Sequence, residues 1–176
     1  MTIDFCSWGF RRNMASGDVI GIEQLLSTMV ETVSCGGNIL MNVGPTGDGR
    51  IVPIFEERLR QLGSWMDVNG EAIYSSVSWT HQNDTITSNV WCTSKYATDG
   101  LNIYAILLFW PTTGTLELGS SVATDQTTVS MLGYERAITW EKLPGGIGIK
   151  ITMPLILDSL MPCRWARTFK LNNLKP

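Results

Sequence analysis

Gly36-Gly37-Asn38-Ile39-Leu40-Met41-Asn42-Val43-Gly44-Pro45-Thr46-Gly47-Asp48-Gly49 is an apolar run bracketed by glycines, and it reads as a buried strand feeding a loop that opens a helix. Ile39-Leu40-Met41 does not alternate with polar residues. That predicts a strand covered on both faces, as in a parallel sheet under helices. Upstream, Ile22, Leu25, Leu26, Met29, Val30 and Val33 recur at helical spacing, with Asp18 near the start as a helix cap and Gly36 just past the end. Downstream, Pro53 suits a first helical turn, and Phe55, Leu59, Leu62 and Met66 form a second stripe that stops at Asn69-Gly70. The order helix, strand, loop, helix is a piece of an α/β pattern. A closed barrel of eight such units needs about 200 to 250 residues. Only the stretch around Thr2 to Phe5 offers the predicted strand a neighbour, and an isolated pair is marginal. The expectation is therefore that residues upstream of Met1 complete the sheet.

From Ile73 onward Gly, Ser, Thr and Asn separate short runs of aromatic and β-branched residues with no helical period. Strands are predicted at 89–93, 102–110, 115–118, 127–132, 137–141, 147–152 and 165–170, an antiparallel sandwich by number and spacing. Pro111-Thr112-Thr113-Gly114 and Pro144-Gly145-Gly146 are its tight connections. The expected division is residues 1–72 and 73–176, with no linker or internal repeat between them.

The chain has 176 residues, 44% of them hydrophobic, and a net charge of −3. That charge argues against a nucleic-acid surface or an anionic membrane surface as partner. The longest apolar stretch, Ile103 to Trp110, is far below the roughly 20 residues of a membrane span and reads as a central strand. Cys6, Cys35, Cys92 and Cys163 allow three pairings and lack the paired short intervals of a zinc site. Asn83-Asp84-Thr85 is a glycosylation acceptor triplet, which points to a secretory route. Met1 nevertheless leads into Thr2-Ile3-Asp4-Phe5 with no signal-peptide pattern, and this again favours a start further upstream.

Ser7-Trp8-Gly9-Phe10-Arg11-Arg12, Gly36-Gly37-Asn38 through Gly44-Pro45-Thr46, and Asn69-Gly70-Glu71-Ala72-Ile73-Tyr74 stand in an order that resembles the α-L-fucosidases of glycoside hydrolase family 29. Val90-Trp91-Cys92-Thr93-Ser94-Lys95, Tyr104-Ala105-Ile106 and Trp110-Pro111 are similar to the C-terminal domain of the animal members. The resemblance implies the tail of a (β/α)8 catalytic barrel followed by a β-sandwich, in a retaining exoglycosidase that removes terminal α-L-fucose from glycans and glycoproteins. No cofactor, no metal and a secreted or lysosomal location are expected, and a homo-oligomer is one open reading for the full-length protein. Retention needs a carboxylate nucleophile and a carboxyl acid/base about 5 to 5.5 Å apart. The resemblance places both upstream of Met1, so the chain by itself is expected to be inactive.

Within the chain the substrate-pocket candidates are Trp8, whose face would pack on a sugar with core packing as the equal alternative, Asn42 near the carboxyl end of the predicted strand, and Asp48 on the loop beyond it. Asp48 lies between Gly47 and Gly49, where turn chemistry is the competing explanation. Arg11 and Arg12 are candidates to orient carboxylates, with surface solvation the expected role of at least one of them. His81, the only histidine, reads as a surface residue of the first sandwich loop. Gly44 to Gly49 lacks the lysine–hydroxyl pair of a nucleotide loop, and a calcium loop needs several more oxygen side chains than Asp48 offers. The competing function is a carbohydrate-binding or scaffolding sandwich using Trp79, Trp91, Trp110, Trp140 and Trp165. Exposed, coplanar indoles would favour it, and buried ones would favour a buttress for the barrel.

Overall fold

Helix α1 (Ile22–Ser34) forms where the first stripe predicts it, and it buries Ile22, Leu25, Leu26, Met29 and Val30. Its N-cap is Gly21, which offers no side chain. Asp18 instead closes a 3-10 turn, Ser16–Asp18, by accepting the Ala15 amide at 3.0 Å; it caps, but not the helix expected. Helix α2 (Pro53–Asn69) starts on its proline and buries Phe55, Trp65 and Asn69, whereas Leu59 is exposed. The stripe is rotated because Trp65 is the larger apolar body and its indole N–H has a partner, the Ala166 carbonyl at 2.9 Å.

Ile39-Leu40-Met41 departs from expectation. The segment meets the N-terminal residues through one parallel bridge, Thr2 to Asn42, and Leu40 is 69% exposed. A strand with a single neighbour propagates no ladder and leaves its outer face open.

The computed structural model describes residues 1–98 and 100–175. Eight strands follow the helices among them: β1 (Val77–Asn83), β2 (Val90–Ala97), β3 (Gly100–Leu107), β4 (Thr115–Leu118), β5 (Ala123–Met131), β6 (Trp140–Lys142), β7 (Ile149–Thr152) and β8 (Arg167–Leu174). They make a five-stranded sheet, β1-β2-β3-β8-β5, and a three-stranded sheet, β4-β7-β6, with every pairing antiparallel. β1 has no counterpart among the predicted strands, and it contains His81, which packs edge-on against Trp79. The turn at Pro144-Gly145-Gly146 joins β6 to β7, and Gly145 and Gly146 both take positive φ.

The central strand β3 explains the layering. Ile103, Ala105 and Leu107 pack into the core between the two sheets, while Tyr104 and Ile106 pack against α1 and α2. The alternation is the period-2 pattern of a strand buried on both faces. Polar contacts close the helix–sheet side: Thr93 Oγ1 donates to the Ala72 carbonyl at 2.7 Å, and Tyr104 Oη and Lys170 Nζ reach Glu71 Oε1 at 2.7 and 2.8 Å. Burial alone would raise the Glu71 pKa, but Lys170 and Tyr104 outweigh it and the net shift is downward.

Buried Asp84 staples the two sheets. Its Oδ2 accepts the amides of Ile86 and Thr87 at 2.9 Å each and that of Gly119 at 3.1 Å, and its Oδ1 accepts Ser120 at 3.2 Å. All four cysteines are free thiols, Cys6 and Cys35 exposed, Cys92 and Cys163 buried. Burial raises the pKa of both interior thiols.

Candidate functional site

Two extended segments run side by side at the start of the chain. The Met1 ammonium donates to the Leu40 carbonyl at 2.7 Å, the Asn42 amide to Met1 O at 3.0 Å, and the Ile3 amide to Asn42 O at 3.2 Å. Both segments open at their carboxyl ends into loops, and these two loops carry the pocket candidates.

On the first loop Asp4, 2% exposed, receives the Arg11 fork at 2.9 Å on each oxygen and the Cys6 amide at 2.8 Å. The same guanidinium reaches Asp18 Oδ2 at 2.8 Å. The Arg11 hydrogen bonds hold the Asp4 carboxyl below the usual range, the Ala15 amide followed by Arg11 does the same for Asp18, and the two acids push Arg11 upward. A carboxyl group that donates a proton near neutral pH needs its pKa raised. Asp4 and Asp18 are shifted the other way, so this pair of acids is an ion-pair clamp.

Trp8 lies between these anchors with its side chain 59% exposed. Asn42 is brought to it, but by its amide: Nδ2 donates to the Trp8 carbonyl at 2.6 Å and to Thr2 Oγ1 at 3.2 Å. Asp48 stays within its own turn, accepting from Thr46 Oγ1 and pairing with exposed Arg50 at 3.0 Å. Arg12 is exposed. Asn83 is elsewhere, at the end of β1, where Nδ2 donates to the carbonyls of Ser88 at 2.8 Å and Val90 at 3.0 Å. The sequence reading did not anticipate Gly44. A Cβ at that position would stand 2.5 Å from Phe10 N and 2.6 Å from Gly9 C, so the second loop is pressed against the first. The glycine before Pro45 was the only available hint.

The tryptophans of the β module are all half-buried and none is exposed. Trp79, Trp110 and Trp140 flank the core between the sheets, and Trp91 and Trp165 flank the core beneath the helices.

The architecture is that of an antiparallel β-sandwich packed on two helices. Residues 1–71 match the Alpha-L-fucosidase family and residues 82–172 match the Alpha-L-fucosidase C-terminal domain. The chain is 50% identical over 175 residues to plasma alpha-L-fucosidase of Rattus norvegicus, covering 99% of this chain and 38% of that protein. It is 45% identical over 174 residues to tissue alpha-L-fucosidase of Homo sapiens, covering 99% and 36%. The crystal structure of Thermotoga maritima alpha-fucosidase in complex with fucose superposes with a TM-score of 0.80 at 28% identity, covering 97% of this chain and 38% of that one. The chain belongs to the alpha-L-fucosidase family. It spans a little over a third of the length of the curated relatives it matches.

Proposed function

We propose that the chain is the C-terminal part of a retaining α-L-fucosidase acting on fucosylated glycans and glycoproteins, and that residues 1–176 alone do not hydrolyse fucosides. In this reading residues 1–72 close a (β/α)8 barrel and residues 73–176 form the sandwich that buttresses it. The observation that carries the inactivity is the state of the acids. Asp4 and Asp18 at the loop end share Arg11 with their pKa values lowered, whereas the retaining reaction needs one carboxylate free to attack and one carboxyl able to donate a proton. The half-buried tryptophans support a buttress over a lectin-like face.

Of the pocket candidates, Trp8 presents its ring, while Asn42 and Asp48 engage their side chains locally. The plasma and tissue relatives favour a secreted or lysosomal destination. A glycan on Asn83 would displace at least one of the bonds to Ser88 and Val90, so modification there would precede closure of that turn; intact-mass analysis of protein from a secretory host, with and without Thr85→Ala, tests it. The test of the main reading is hydrolysis of an aryl α-L-fucoside by this chain beside a longer form carrying the upstream barrel segment. Activity confined to the longer form is the expected result, and comparable turnover by the short chain would make Asp48 the first residue to mutate.

A further inference from the structure

Ser7-Trp8-Gly9-Phe10 is held from three sides by chemically unrelated devices. The Arg11 fork ties the far end of the segment to Asp4, where the loop leaves the extended segment, and to Asp18. The Asn42 amide grips the Trp8 carbonyl from the second loop. Gly44 lets the second loop's backbone come within a distance of Gly9 and Phe10 that no side chain would permit. Thr2 Oγ1 donates to the Ser7 carbonyl at 3.3 Å, and inside the segment the Gly9 amide donates to Ser7 Oγ at 3.1 Å. Despite this restraint the indole is left largely in solvent. A fixed backbone under an exposed aromatic is what a preorganised binding surface requires, because the ordering cost is met before the ligand arrives.

We infer that Arg11, Asn42 and Gly44 are positioning residues that hold the Ser7–Phe10 loop so that the Trp8 face is presented to the sugar. This rests on the fucosidase reading above and assigns Asn42 a role through Trp8 rather than on the substrate. The three devices respond to different substitutions. Arg11→Lys keeps the charge and loses the planar fork. Gly44→Ala keeps every polar group and forces a methyl against the Gly9–Phe10 backbone. Asn42→Ala removes only the amide grip.

The experiment uses the longer form with the upstream barrel, in which Arg11→Lys, Gly44→Ala, Asn42→Ala and Trp8→Ala are compared by three readouts: amide exchange at residues 5–10, KM and kcat on an aryl α-L-fucoside, and Tm. The three positioning variants are expected to speed exchange in the loop while α1 and the sandwich keep theirs, and to raise KM about tenfold with kcat nearly held, as a displaced contact made equally in ground and transition state does. Trp8→Ala is expected to raise KM without speeding loop exchange. Unchanged exchange in all three positioning variants overturns the lock. A lowered Tm with ordinary KM, or a Trp8→Ala enzyme with ordinary KM, overturns the positioning role. If the longer wild type fails to hydrolyse the fucoside, it is the fucosidase reading that falls, and the exchange data still judge the lock.

Discussion

Asp84 answers four backbone N–H groups from two different turns with one carboxylate. Hydrogen bonds to a charged group contribute about 1.5 to 3 kcal/mol each, and a buried donor left without a partner costs about 1 to 3 kcal/mol. Asp84→Ala is therefore expected to destabilise by about 3 kcal/mol or more, read as a fall in urea midpoint at constant m-value. Asp84→Asn should cost less. Its carbonyl oxygen, placed at the Oδ2 position, keeps three of the four donors and forfeits Ser120 alone. An equal loss for the two variants would mean that the charge, and not the bonding pattern, holds the turns.

The clamp of Asp4, Arg11 and Asp18 makes a different prediction, in pH. Both acids have their pKa lowered on folding, Asp4 chiefly by Arg11 and Asp18 chiefly by the Ala15 amide. A depressed carboxyl contributes its full stability above the unfolded value, about 3.9 for Asp, and loses it as pH falls through the folded value. The stability difference between wild type and Arg11→Ala should accordingly stay level from neutral pH to about 5 and shrink only below about 4. Denaturant midpoints across that range check it, and a difference that fades already between pH 7 and 5 would contradict the shifts.

At the scale of elements, the turn after β5 is a tight joint. Gly133 has a φ of 74°, and a Cβ there would lie 2.7 Å from Pro162 Cβ and 2.8 Å from Val68 Cγ1. Gly133→Ala combines a left-handed backbone with overpacking between α2 and the loop before β8, and about 2 to 3 kcal/mol of lost stability is expected. Thermal melts of the variant measure it; a neutral outcome would mean that Pro162 gives way freely.

Elements were legible in the sequence where one environment governs a whole run. α1 shows a clean stripe because one face meets one core, and β3 shows an unbroken apolar run because both faces are covered. β1 was not legible. As the edge strand of its sheet it exposes Ser78, Thr80, His81 and Gln82, polar residues that discourage further pairing and erase the alternation by which strands are read. In α2 the regular stripe pointed at Leu59, but the partner of Trp65 lies at Ala166, far along the chain. Ile39-Leu40-Met41 shows one bridge in place of a ladder, because an apolar run states how much cover a strand wants and these residues supply it a single neighbour. The candidate site was legible by half. Trp8, Asn42 and Arg11 could be named from residue type, but that Asn42 grips a carbonyl and that Gly44 admits a neighbouring backbone are contacts between loops, and such contacts leave no period in the sequence.

For the whole molecule, the alternation along β3 has a bearing on heredity as well as on packing. Ile103, Ala105 and Leu107 belong to one core, while Tyr104 and Ile106 belong to the other, so neither half owns its central wall. A calorimetric scan of the chain should give one transition with equal calorimetric and van't Hoff enthalpies, and two resolved peaks would show the halves melting apart. A module that shares a strand's two faces with its neighbour is a poor candidate for shuffling. Excised, it would carry the exposed flank of Tyr104 and Ile106 into any new context, so recombination is expected to move the helices and the sandwich together or not at all.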